Sequence, residues 1–161
     1  MAYQEHLAIL NQGVEVWNRW RDEHTDILPD LSEADLSHAS LFYANLGEAR
    51  LSNAHLTDTN LTYARVELTV LGAVDLSTIK GLETVNHRGP STIGIDTIYR
   101  SGGNIPEAFL KGAGVNDTFI TYIRSLIGKP IEYYSCFISY SSKDDAFARR
   151  IHADLQSNNV R

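Results

Sequence analysis

Apolar residues fall every fifth position from residue 29 onward. The central positions are Leu31, Leu36, Leu41, Leu46, Leu51, Leu56, Leu61, Val66, Leu71 and Leu76, nine Leu and one Val. Two residues before each stands a compact residue: Pro29, Ala34, Ala39, Ala44, Ala49, Ala54, Thr59, Ala64, Thr69 and Val74. The intervening position is mostly polar, with Asp30, Asp35, Asn45, Asn60 and Asp75 among its occupants. Neither standard period accounts for this. On a helix, steps of five rotate by about 140° and spiral around the surface. On a flat strand, side chains five apart alternate faces. A chain that turns a corner every five residues places every Leu on one axis and every Ala beside it. One such unit cannot bury its own Leu, so stability must come from stacked neighbours, and the open ends need caps.

The flanks supply candidate caps. Over residues 4–24, Leu7, Leu10, Val14, Trp17 and Trp20 recur at helical spacing, which predicts one amphipathic helix laid over an open end. Pro29 ends it and opens the repeat. Beyond Leu76 the repeat decays. Residues 84–104 hold turn residues around Ile93, Ile95 and Ile98, predicting an irregular strand or coil edge. Two short helices follow. The first, after Pro106, closes at Gly112. The second is capped by Asn116 or Asp117 and places Phe119, Ile120, Ile123 and Leu126 or Ile127 on one side. The expected segments are an N-terminal capping helix at 1–28, the repeat at 29–78, a C-terminal cap and linker at 79–130, and a distinct unit at 131–161.

The copies ADLSH, ANLGE and AHLTD resemble the pentapeptide-repeat family, whose pattern is A(D/N)LXX. The resemblance implies a mainly β molecule. Its centre would be a right-handed quadrilateral β-helix, a solenoid of ten copies or about two and a half coils, with helical caps. In this class of protein such a stack is a rigid platform.

The last thirty residues change character. Tyr134 to Tyr140 is aromatic and β-branched, as a buried strand requires. Ser142 with Asp145 forms a capping-box pattern, and Phe147, Ile151 and Leu155 then recur every four residues. A strand, a polar loop and a helix make the first half of a βαβ unit. The string FISYSSKDDAF resembles the first box of TIR domains, and the whole arrangement resembles bacterial pentapeptide-repeat proteins with a C-terminal TIR domain. The resemblance implies a partial α/β TIR unit limited to its first strand and helix. It also implies that Ser141, Ser142, Lys143 and Asp144 match a loop near the nucleotide pocket of NAD-cleaving relatives. The catalytic glutamate of those relatives corresponds to no residue here. The expectation is therefore no cofactor for this chain, with NAD implied only for a complete TIR domain.

Composition narrows the remaining classes. The net charge is −6, which disfavours non-specific binding to nucleic acid or anionic membrane. No apolar run approaches the roughly 20 residues of a membrane span, and no basic leader opens the chain, so the expectation is cytoplasmic. The single Cys136 sits in an apolar strand and reads as a buried small hydrophobe. There is no GxxxxGK[ST], HExxH or CxxC motif. His38 and His55 read as surface residues of the repeat, and the pair His87 and Arg88 reads as a solvated turn rather than an anion-binding pair. The repeat leans acidic, with a net −5 over 29–78. Mimicry of DNA fails on reach, since two and a half layers at ~4.8 Å span only ~12 Å, or about three to four base pairs. The expected function is a non-catalytic scaffold or protein-interaction module of a TIR-type signalling or defence protein, its partners TIR domains or a second copy. The alternative is part of a TIR-domain NAD glycohydrolase whose catalytic half lies outside these residues.

Overall fold

A computed structural model describes residues 3–127 together with Phe147, Arg149, Arg150, Ile151 and Ala153, while the side chains of Arg124, Leu126 and Ile127 are not described. The chain divides into two compact units, Met1–Ile127 and Gly128–Arg161. In the second unit the described residues are helical, as the spacing of Phe147 and Ile151 requires.

In the first unit the chain returns beside itself every 20 residues. Parallel bridges join Asp30 to Arg50, Asp35 to His55, Ser40 to Asn60, Asn45 to Arg65, Arg50 to Val70, and Asn60 to Lys80. Four pentads thus make one circuit. Backbone bonds run both ways at each bridge: at the first, Arg50 N–H donates to the Pro29 carbonyl at 2.8 Å, and Leu31 N–H to the Arg50 carbonyl at 2.8 Å. All ten central residues are buried, none more than 3% exposed. At roughly 1.5–3 kcal/mol per buried Leu, these columns are the main apolar contribution to stability.

Most corners share one construction. At all but those after Val66 and Leu71, the N–H following the corner bonds back to the central carbonyl, as from Ala44 to Leu41 at 3.0 Å and from Ala64 to Leu61 at 2.9 Å. The residue two after each central position, from Glu33 to Ala73, has φ between 50° and 62°. A four-residue turn with positive φ at its third position only is type II. The Asp or Asn before the central residue stabilises the same turn. Its Oδ1 accepts the N–H two residues on, from Asp30 to Ser32, Asp35 to Ser37, Asn45 to Gly47, Asn60 to Thr62 and Asp75 to Ser77.

The expectation of a mainly β molecule is corrected. Helix outweighs strand, about 35% to 13%, and among the described residues there are only short two-strand sheets, with no closed or solenoid sheet. The named strands are two residues each: β1 (Arg65–Val66), β2 (Val70–Leu71), β3 (Asn86–His87) and β4 (Thr92–Ile93), paired β1 with β3 and β2 with β4. The reason lies in the pentad itself. With a corner in every five residues, each side offers one or two bridging residues, and ladders cannot lengthen.

The single N-terminal helix is also corrected. Gly13 at φ 116° splits it into α1 (Gln4–Leu10) and α2 (Val14–Glu23). The two reach different parts of the first circuit's open edge. From α1, His6 Nδ1 accepts the Asp30 N–H at 3.0 Å. From α2, Trp17 Nε1–H, Asn18 Nδ2–H and Arg21 guanidinium donate to the carbonyls of Asn45, Tyr43 and Gly47. Backbone groups that an added circuit would satisfy are thus met by side chains.

At the other end the register slips. The pairing offset grows from 20 at Asn60 with Lys80 to 21 at Arg65 with Asn86 and 22 at Val70 with Thr92. Gly81 sits at φ 78° before a 3-10 turn, Leu82–Thr84, and a Cβ there would lie 2.7 Å from Thr62 Cα. Ile95 and Ile98, expected in a strand or coil edge, belong instead to a helix, α3 (Ile95–Arg100). It presents hydroxyls to the lower edge. Thr97 Oγ1 donates to the Leu71 carbonyl at 2.8 Å and accepts the Val74 N–H at 3.3 Å, and Ser101 Oγ accepts the Leu76 N–H at 3.0 Å. The two expected short helices are present as α4 (Glu107–Gly112) and α5 (Asp117–Ile127). Asn116 Oδ1 caps α5 through the Phe119 N–H at 2.8 Å. Ile120 and Ile123 are buried, but Phe119 faces outward.

Candidate interaction surface

The repeat exposes one aromatic cluster. Tyr43 and Tyr63 occupy the same corner in successive circuits, both at positive φ, so their rings stack with centroids 5.2 Å apart and planes at 27°. Phe42 packs edge-on against Tyr43 at 4.4 Å and against Tyr63 at 5.9 Å. The three remain 43%, 57% and 48% exposed for Phe42, Tyr43 and Tyr63. Their backbone is fixed from several sides. Tyr43 N–H donates to the Thr62 carbonyl at 3.1 Å, Asn18 donates to the Tyr43 carbonyl at 3.0 Å, and Tyr63 N–H donates to Thr84 Oγ1 at 3.2 Å. Rigid, half-exposed aromatic rings offer large contact area at little entropic cost, which is why they are enriched at protein interfaces. The pentad reading put these positions outward without marking them. Their signal was the 20-residue spacing of two Tyr, visible only once the circuit length is known.

The remaining candidates part company. His38 and His55 are exposed, as expected. His38 stands 3.7 Å from Asp58, which also faces Lys80 at 3.9 Å, and such exposed pairs contribute little. His87 and Arg88 do not form an anion site. His87 pairs with Val66 and so takes an inward, Leu-type position, while Arg88 is exposed. Both ring nitrogens of His87 are buried without a hydrogen-bond partner, its ring meets Phe109 edge-on at 5.0 Å, and burial lowers its pKa. Of the two Trp, Trp17 is wholly buried as a cap, whereas Trp20 is only half-buried. The nucleotide-loop candidates Ser141, Ser142, Lys143 and Asp144, and Cys136, lie outside the described residues. Among the described residues no group of His, Cys, Asp and Glu is placed to hold a metal ion, and no helix is long and apolar enough to cross a membrane.

Comparison with known proteins agrees with the repeat. The profile described as Pentapeptide repeats matches residues 34–72, in eight copies. The flanking copies around Leu31 and Leu76 fall outside that match, yet both Leu are as buried as the rest. No curated protein and no solved structure matches the chain. The TIR resemblance has no counterpart in these comparisons. The chain therefore carries pentapeptide repeats, and repeats of this kind point to a scaffold or interaction module.

Proposed function

We propose that this chain is a non-catalytic scaffold serving a TIR-type signalling or defence protein, with a second copy or a TIR domain as its partner. The observation that carries the scaffold reading is the Phe42, Tyr43 and Tyr63 cluster, held on a backbone anchored through the Tyr43 N–H and carbonyl and the Tyr63 N–H. A partner covering these rings removes apolar area from water without reorganising the surface beneath, the arrangement that favours binding hot spots. Support for the TIR part is the string FISYSSKDDAF alone, with residues 131–161 as the TIR-type segment and Ser141 to Asp144 as its nucleotide-side loop.

Light scattering on the eluting protein tests the surface. The unaltered chain should self-associate with rising concentration, or capture a purified TIR domain, and the double variant Tyr43→Ser, Tyr63→Ser should lose that behaviour while keeping its circular dichroism. A strict monomer that captures no TIR domain at ~100 µM, where even weak complexes form, would overturn the proposal. The non-catalytic part has its own measurement. The purified chain should leave NAD intact, since no residue matches the family's catalytic glutamate, and turnover above a blank would refute it.

A further inference from the structure

The N-terminal cap contains an open cavity of about 450 Å³, a size suited to a small molecule. One wall is a continuous run of rings. Tyr3 meets His6 at 4.7 Å between centroids, His6 meets Trp20 at 5.0 Å, and Trp20 stacks on His24 at 5.3 Å and 21°. Its acidic lining residues are Glu5 and Asp30, no Lys or Arg stands among its described lining, and the Arg21 guanidinium lies 6.0 Å from the Trp20 ring centroid. We infer that this cavity binds a small organic cation of the alkylammonium class, held against the wall of rings formed by Tyr3, His6 and Trp20 and countered by Asp30 and Glu5.

The neighbouring groups suit this chemistry. Asp30 stays ionised, because bonds from Ser32, its backbone N–H foremost, hold its carboxyl below the usual range. His6 stays neutral for two reasons. It is buried, and its Nδ1 already accepts the Asp30 amide proton, which leaves no lone pair for a second proton. His24 directs Nδ1–H to the Trp20 carbonyl at 3.0 Å. The result is an aromatic wall that includes Trp, the ring best suited to cation–π attraction, beside two acidic residues. An anionic ligand would face two carboxylates. Among the described residues no set of three ligands is placed to hold a metal ion. A purely apolar ligand would desolvate both carboxylates without a counter-charge.

Two sources share this chemistry, a free quaternary ammonium compound and the lysine side chain of a partner protein. Calorimetry on the full chain, with Trp fluorescence in parallel, separates them using three probes: choline, its neutral isostere 3,3-dimethylbutan-1-ol, and N-acetyl-lysine amide. Choline should bind at least ~tenfold tighter than the isostere. Asp30→Asn keeps the Oδ1 acceptor for Ser32 and should weaken choline by about tenfold with the fold intact. Trp20→Leu should abolish binding. Tighter binding of the lysine amide than of choline assigns the same pocket to a partner's lysine. Equal affinity for choline and the isostere, or no binding of either cation up to ~50 mM, overturns the inference. Neither result depends on the Tyr43 and Tyr63 surface.

Discussion

The residue that departs furthest from the pattern around it is His87. It continues an inward column above which stand Leu46 and Val66, and any side chain at Gly112 would collide with its ring. A neutral imidazole leaves one donor and one acceptor unpaired there, and an imidazolium would be worse. His6 is held neutral too, chiefly by burial. Both folded pKa values lie below the ordinary histidine value of about 6.5. As pH falls through that value the unfolded chain takes up protons first, so stability is full above it and declines below it. Thermal melts should therefore drop between about pH 7 and 5. His87→Leu, which restores the column's own residue type, should raise the melting temperature and reduce that drop. An unchanged slope would show that the ring is not the titrating group.

At the scale of the element, the caps act through polar side chains as well as through buried apolar ones such as Trp17, Ile98 and Phe109. Thr97 is the clearest case, with its hydroxyl bonded to one backbone carbonyl and one backbone N–H of the lowest circuit. Thr97→Val keeps the shape and should cost about 1–3 kcal/mol, because two buried backbone groups lose their partner. Chemical denaturation would show it as a lower midpoint at constant slope. This is also where sequence reasoning reached its limit. The Leu and Ala columns were legible because a five-residue period has few physical solutions. Helix α4 was legible from Pro106 and Gly112, and α5 from Asn116. The split at Gly13 was not, since Leu7 through Trp20 keep helical phase across it. Nor was α3, because Ile93 and Ile95 alternate as strand residues do, and only the edge hydrogen bonds of Thr97 and Ser101 favour helix. The mainly β expectation came from the family resemblance, and it failed because each side of a circuit offers only one or two bridging residues. The aromatic pair and the cavity wall were illegible for a related reason. Their members are 20 residues apart, or lie on both sides of the break between α1 and α2.

For the first unit taken whole, the central columns join every circuit to the next, and both caps bond to circuit edges. Leu51, only 1% exposed, lies between Leu31 and Leu71 in one such column. Leu51→Ala should cost about 2–5 kcal/mol. Trp17 fluorescence at the N-terminal cap and helix signal from the far end should then shift together in denaturant, as nearest-neighbour coupling requires. Separate transitions would mean that the caps unfold independently of the repeat.

The 20-residue return has an architectural corollary. Duplicating one full circuit would add a storey and leave both lids facing as they do now. Inserting a single pentad between Tyr43 and Tyr63 would instead swing everything beneath it by a quarter turn, aligning Tyr43 with a different corner and dissolving the ring pair. Growth of this chain is thus quantised, and its aromatic face survives only steps of four pentads.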